Sequence, residues 1–262
     1  MTDRITIAIA DGVADVRLTR ADKMNALDPA MFQALADAAA RLKGEKSVRA
    51  VVISGEGRAF CAGLDMSSFA SVGGGGKLAT RTHGISNLWQ FVVQGWREVP
   101  APVIAAVHGV AFGGGFQLAL GADIRYVAPD TKMSVMEIKW GLVPDMAGMA
   151  LMRHLCREDI ARELTYTGRV FSGEEAFQYG FATRLEADPR AAALATAREI
   201  AGKSPHAIRA AKRLFDLAQD GSAADLLMAE SVEQDKLLRS PNQTEAVMSN
   251  MEKRAANYRD PE

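Results

Sequence analysis

Apolar and polar residues alternate through ITIAIADGVADVRLT, from Ile5 to Thr19, on either side of Asp11-Gly12. A period of two marks a strand with one buried face, and Asp-Gly supplies the positive φ of a tight turn, so this stretch predicts an antiparallel hairpin. The period then lengthens. In LDPAMFQALADAAARLKG, Met31, Leu35, Ala38 and Leu42 recur at helical spacing, with Asp28 placed to cap, Pro29 at the first helical position and Gly44 at the end. Short apolar runs predict four further strands: VRAVVIS (48–54), PVIAAVH (102–108), IRYVA (124–128) and KMSVM (132–136). An amphipathic stretch from Lys77 to Val99 lies between the first two of these. From Ala147 onward the texture is alanine-rich and charge-studded at helical period, with breaks near Gly168, Asp188, Ser204-Pro205, Gly221 and Ser240-Pro241. That part is expected to be all helix. No low-complexity linker separates the two textures, so they predict one α/β core with a helical appendage. The run Gly73 to Gly76 reads as a loop, with a lid hinge as the sharper alternative.

Composition narrows the function classes. With 262 residues, 48% hydrophobic and 24% charged, the chain can bury a sizeable core. A formal charge of −1 and no basic stripe interleaved with aromatics argue against nucleic acid or an anionic membrane as the main partner. Cys61 and Cys156 have neither disulfide-framework density nor metal-ligand spacing. No apolar h-region follows a basic N-terminus, and no uncharged run reaches the roughly 18 residues of a membrane span. A reducing, cytoplasmic setting is expected.

One internal echo carries the chemistry. AVVISGEGRAFCAGLD (50–65) and IAAVHGVAFGGGFQLA (104–119) each run strand, glycine, phenylalanine, closely placed glycines, then apolar residues able to start a helix. Such turns present backbone N–H groups at a helix start and suit anionic oxygen. Neither G-x-x-x-x-G-K-[ST] nor G-x-G-x-x-G is present, which argues against a nucleotide phosphate loop. Close packing accounts for either turn alone. Two matching turns are what an oxyanion hole requires, with N–H donors from separate strands.

Along nearly its whole length the sequence resembles the crotonase (enoyl-CoA hydratase/isomerase) superfamily. The likeness is carried by KMNAL (23–27), GRAFCAGLDM (57–66), PVIAAVHGVAFGGGFQLALGADIRY (102–126), MEIKWGLVPDMAG (136–148), LTYTGRVFSGEEAFQYGFATRL (164–185) and MEKRAANYRD (251–260). The resemblance implies a spiral of ββα units over residues 1–200 and, over 201–262, a helical region that assembles trimers or dimers of trimers. It implies an acyl-CoA thioester substrate, coenzyme A being part of the substrate, and no separate cofactor or metal. The carbonyl-binding N–H groups map onto Leu64 and Gly114. Lys23, Asn25, Ala26, Leu27, Ala62 and Asp65 fall at CoA-binding positions, with Lys253 reaching the CoA phosphates, in some relatives from a neighbouring subunit.

The acids set the expected reaction. Hydratases of this superfamily hold a water between two glutamates; here the first position is Gln117 and the second is Glu137. An amide orients a neighbour or a water but accepts no proton at useful pH. Asp145, eight residues after Glu137, sits where dienoyl-CoA isomerases are similar in carrying an aspartate. In a continuous helix the two would stand about 12 Å apart along the axis, but Gly141 and Pro144 predict a turn that brings both into one pocket. Those isomerases usually keep an acid at the position of Gln117 too, so two of three acids match. Double-bond isomerisation is favoured over hydration; a single-base Δ3-to-Δ2 isomerase using Glu137 and a catalytically silent acyl-CoA binder stay open.

Plainer roles compete at each position. Glu137 can be an exposed acid at a strand end, Asp145 an N-cap for a helix from Met146, and Gln117 a helix residue with its amide in solvent. Asp65 and Asp123 read as structural acids, His108 as a turn-stabilising hydrogen-bond partner, and Cys61 as a small buried thiol. His83, His154 and His206 form no ligand spacing.

Overall fold

The computed structural model describes residues 4–68 and 78–261, so the glycine run at 73–76 and the hinge considered there lie outside the described residues. The hairpin forms as the alternation predicts: Ile5–Ala10 (β1) pairs antiparallel with Val13–Leu18 (β2) across Asp11 and Gly12, both at positive φ. Helix α1, Pro29–Gly44, starts where the Asp28 carboxylate accepts from Met31 N at 2.8 Å and buries Met31, Leu35, Ala38 and Leu42. Then come Ala50–Gly55 (β3), Leu88–Glu98 (α2), Val103–Val107 (β4), Val110–Phe112 (β5), Gly114–Leu120 (α3), Ile124–Val127 (β6) and Lys132–Ser134 (β7). Asn87 and Gln90 form a reciprocal capping box that fixes the start of α2 inside the amphipathic 77–99 stretch.

The second half is not all helix. Among Gly148–Met152 (α4), Glu158–Thr167 (α5), Phe171–Ser172 (β8), Gly173–Tyr179 (α6), Arg184–Leu185 (β9), Pro189–Ala201 (α7), Pro205–Ala218 (α8), Ala223–Leu237 (α9) and Pro241–Met251 (α10), two strands stand out. Each is two residues long, too short to leave a period in the sequence. β9 extends the main sheet, whose order is β1-β2-β3-β4-β6-β9; β8 closes a smaller sheet, β5-β7-β8. The expected breaks do fall at element ends: Gly168 closes α5, and Asp188, Ser204 and Ser240 precede α7, α8 and α10.

All pairings in the main sheet after β1–β2 are parallel, and the sheet is covered on both faces. Val51 and Ile53 of β3 join the larger core with α1, α2 and α3, while Ala50 and Val52 pack against Ala193, Ala197 and Ala201 of α7. Double coverage explains why β3 and β4 read as unbroken apolar runs. No helix among the described residues is long and apolar enough to cross a membrane.

A buried cation ties α8 to the sheet. Lys212 Nζ bonds Asp123 Oδ2 at 2.8 Å and the carbonyls of Ala101 and Trp96 at 3.1 and 3.3 Å, while Asp123 also accepts from Val103 N. Asp123 is thus the structural acid expected. Removing the ammonium leaves a half-buried carboxylate and two carbonyls unmatched, so Lys212→Met is expected to lower unfolding free energy by about 2–3 kcal/mol. Urea unfolding measures it.

Candidate active site

β3 and β4 run side by side and end in the two glycine turns, which are zipped together beyond the strands. Phe60 N donates to His108 O at 2.9 Å, Cys61 N to Val110 O at 3.1 Å and Phe112 N to Cys61 O at 3.2 Å. A Cβ at Gly115 would overlap the Cys61 carbonyl, so close packing is part of what these glycines do. The His108 ring bonds Gly57 O at 2.9 Å, the turn-stabilising contact expected of it. Cys61 is fully buried, and burial pushes its thiol up to about 12.

Two amides face away from this seam. Leu27 N donates to Gly63 O at 2.8 Å and Asp65 N to Leu27 O at 3.0 Å, a parallel bridge that turns the N–H of Leu64 to the opposite side. Gly114 is the first residue of α3, and its N–H belongs to the turn that has no intrahelical acceptor. The two turns touch: a Cβ on Gly63 would lie 2.5 Å from Phe112 O and 3.6 Å from Gly114 N.

Leu64 and Gly114 line the same cavity, of about 570 Å³. Its walls include Phe32, Met66, Trp89, Trp140, Leu142 and Val143, and its ionisable lining residues, among the described residues, are Glu137 and Asp145. After β7 the chain makes a 3-10 turn over Glu137–Trp140, ended by Gly141 in the left-handed region, and Pro144 follows. This break in the chain, not a helix, is what brings both acids to one cavity. Asp145 caps nothing: α4 begins at Gly148, and Ala147 occupies its N-cap position.

Gln117 is buried behind Glu137, not in solvent, with 1% of its surface exposed. Its Nε2 donates to Glu137 Oε1 at 2.7 Å, and its Oε1 accepts from Met146 N at 2.9 Å and Gly148 N at 3.0 Å. Two backbone donors at one end and a carboxylate at the other fix the orientation of the amide. Glu137 is partly buried, and its Oε2 is shut away from solvent without a hydrogen-bond partner. Burial raises its pKa most; hydrogen bonds from its own backbone amide and then from the Gln117 amide pull it back, and an ionised Asp145 pushes it up again. Asp145 keeps one side open to solvent, yet the apolar wall at its other side raises its pKa as well.

The enoyl-CoA hydratase/isomerase family profile matches residues 8–261. The chain belongs to this family. The Mycobacterium leprae protein named probable enoyl-CoA hydratase echA6 is 33% identical over 257 residues, which cover 97% of this chain and 98% of that protein. The human mitochondrial Delta(3,5)-Delta(2,4)-dienoyl-CoA isomerase is 32% identical over 225 residues, covering 82% of this chain and 69% of that one. The crystal structure of an enoyl-CoA hydratase from Bacillus anthracis superposes with a TM-score of 0.88 at 27% identity, covering 97% of this chain and 98% of that one. The α/β crotonase fold with C-terminal helices is therefore the fold of this chain, and its relatives divide between hydratases and dienoyl-CoA isomerases.

At the remaining positions expected to bind CoA in this enoyl-CoA hydratase/isomerase chain, Ala62 lines the cavity and the others stand outside it. Asn25 is fully buried and donates to Glu56 O and Ala59 O at 3.0 and 2.9 Å, bracing the first glycine turn. Ala62 N bonds Met24 O at 2.9 Å, so the 23–27 segment holds that turn from the other side. Asp65 accepts from the Ser67 hydroxyl at 2.7 Å and pairs with Arg20 at 2.6 Å. The Ser67 hydroxyl above all, with the Arg20 guanidinium, holds its carboxyl down at about 2. Lys23 is exposed, and Lys253 is an exposed residue just past α10. Sequence reasoning missed the cavity wall in KWGLV (139–143), where Trp140, Leu142 and Val143 are large apolar residues in a loop between two acids. That juxtaposition was the available signal.

Proposed function

We propose that this chain isomerises dienoyl-CoA thioesters, moving a conjugated double-bond system along the acyl chain. The observation that carries this reading is that Glu137 and Asp145 line one apolar cavity while the side chain against Glu137 is an amide. The thioester carbonyl oxygen accepts from the N–H groups of Leu64 and Gly114, which stabilise negative charge as it develops. Glu137, ionised, takes the α-proton; the electron pair moves into the conjugated enolate. Asp145, protonated, gives its proton to the far end of the diene, and the electrons return to form the shifted double bonds. One proton leaves and one arrives, so the product has the mass of the substrate. Between turnovers Asp145 recovers a proton on its solvent-facing side and Glu137 releases the one it took, which resets both acids.

Hydratases similar to this chain hold a water between two carboxylates, whereas here an amide bonds Glu137 directly at 2.7 Å, which supports isomerisation over hydration. A panel of enoyl- and dienoyl-CoA thioesters, followed by ultraviolet absorbance and mass spectrometry, tests the assignment. Absorbance change at constant mass supports it; addition of water to a 2-enoyl-CoA as the main reaction overturns it.

The two acids act in opposite protonation states, and the consequence is testable. Turnover requires ionised Glu137, so the rate falls as pH drops through its pKa, which burial raises. It also requires protonated Asp145, so the rate falls again as pH rises through the raised pKa of that acid. Asp145→Asn is therefore expected to lower the rate and to remove the alkaline limb of kcat/KM; a pH–rate profile checks this.

Assembly belongs to the same reading. Residues 1–200 form the acyl-CoA core and 201–262 the assembling region, a homotrimer or a pair of them. Phe215 on α8, Leu227 and Met228 on α9 and Met251 on α10 are exposed apolar residues that support it.

A further inference from the structure

We propose that Gln117 is the positioning residue that selects isomerisation: one buried amide locks Glu137 and the strained turn beside Asp145 into a single unit and closes the gap a hydrating water would need. The inference rests on the function proposed above for this cavity.

Three hydrogen bonds define the clamp. The amide nitrogen holds Glu137 Oε1, and the amide oxygen takes both Met146 N and Gly148 N. Between those two amides sits Ala147 at φ 64, a left-handed conformation that a non-glycine residue adopts at a cost. Sharing one acceptor between the N–H groups on either side of Ala147 holds that turn closed. Asp145 immediately precedes it, so the side chain that orients the base also anchors the chain carrying the acid.

The surrounding packing admits this side chain closely. A Cβ on Gly148 would come within 2.6 Å of Gln117 Oε1 and 2.9 Å of Gln117 Cδ. A Cβ on Gly113 would stand 3.1 Å from Glu137 Oε1. The pair therefore fills its pocket, with Gly113 and Gly148 making the room.

A glutamate at 117 satisfies Met146 N and Gly148 N equally well, but its second oxygen would meet the Glu137 carboxylate at hydrogen-bond distance. Two carboxylates that close either share a proton or separate and admit water. An amide does neither, because it donates a proton it never releases. Of the ionisable groups around Glu137, Asp145 faces it from the 142–147 loop, and Lys139 on its own turn lies over the Trp140 ring.

The test uses the full chain and two substitutions. Gln117→Leu removes all three bonds; Gln117→Glu keeps the acceptor for the turn and replaces only the contact with Glu137. The first readout is the Glu137 carboxyl titration in the free enzyme, by 13C NMR of glutamate-labelled protein, which is independent of the thioester that reacts. Both variants are expected to raise that pKa, since each removes a hydrogen bond to the charged form. A residue with only a structural role would lower the melting temperature and leave this titration where it is. The second readout is kinetic: Gln117→Leu is expected to lower kcat for the dienoyl-CoA about 100-fold with KM within about twofold, and Gln117→Glu to gain water addition to a 2-enoyl-CoA. Wild-type titration in both variants overturns the clamp, whatever reaction the enzyme runs. A shifted titration with an unchanged ratio of hydration to isomerisation overturns the role in selectivity. If the wild-type protein isomerises no thioester, the functional reading fails, and the titration still decides the clamp.

Discussion

Glu137→Gln is expected to lower kcat for a dienoyl-CoA by about 1,000-fold while acyl-CoA binding stays within about twofold, because it removes the proton acceptor and keeps the shape. The new amide fits the same space and can still accept from Gln117 Nε2, which lies 2.7 Å from the carboxylate it replaces. It cannot take the α-proton. The proposed oxyanion donors on Leu64 and Gly114 are backbone groups and are untouched, so the thioester should bind as before and fail to react. Steady-state absorbance assays and calorimetric titration with a saturated acyl-CoA measure the two halves separately. Loss of binding along with turnover would assign Glu137 to the cavity wall. Full activity would remove it from the mechanism.

The second large effect is expected at Gly114, and it isolates a single N–H. Gly114 is the first residue of α3, the position at which a helix accepts proline. Gly114→Ala adds a Cβ that meets Met146 Sδ at 2.8 Å and Leu27 Cδ1 at 2.9 Å, both ends of flexible side chains that can shift. Gly114→Pro adds the same Cβ, deletes the N–H and puts the ring Cδ where the amide proton was. The difference between the two variants therefore reports the N–H position, its hydrogen bond and access to it together, apart from the packing of the Cβ. Loss of one oxyanion donor costs about 100- to 1,000-fold in kcat, so proline should fall that far below alanine with similar melting temperatures. Equal rates would show that Gly114 N–H does not bear on the reaction.

The parts of the fold that were legible in the sequence are those where several signals coincide. The β1–β2 hairpin had alternation on both sides of Asp11-Gly12, and α1 had period, cap and proline together. β8 and β9 were not legible, because two residues carry no period; the register they take is set by β7 and β6, which they join. In the site, the glycine turns were legible through their repetition, and the meeting of Glu137 with Asp145 through Gly141 and Pro144 in the intervening chain. The role of Gln117 was not. Its partners at 146 and 148 lie about thirty residues away and bond through backbone amides, which have no identity in a sequence. Seen alone, Gln117 was an acid missing from a pair. In the fold it bonds Glu137 directly and, through Met146 N, the chain next to Asp145.

In the proposed reaction Glu137 and Asp145 divide the proton traffic between the two ends of a conjugated acyl chain. Turnover of a 3,5-dienoyl-CoA in deuterium oxide, with the position of the label read by NMR, tests it most directly when wild-type and Asp145→Asn proteins are compared. The account predicts deuterium at the far carbon of the wild-type 2,4-dienoyl product, and in Asp145→Asn continued exchange at the α-carbon with migration lowered about 100-fold. Migration at the wild-type rate in Asp145→Asn, or a product carrying the elements of water, would contradict it.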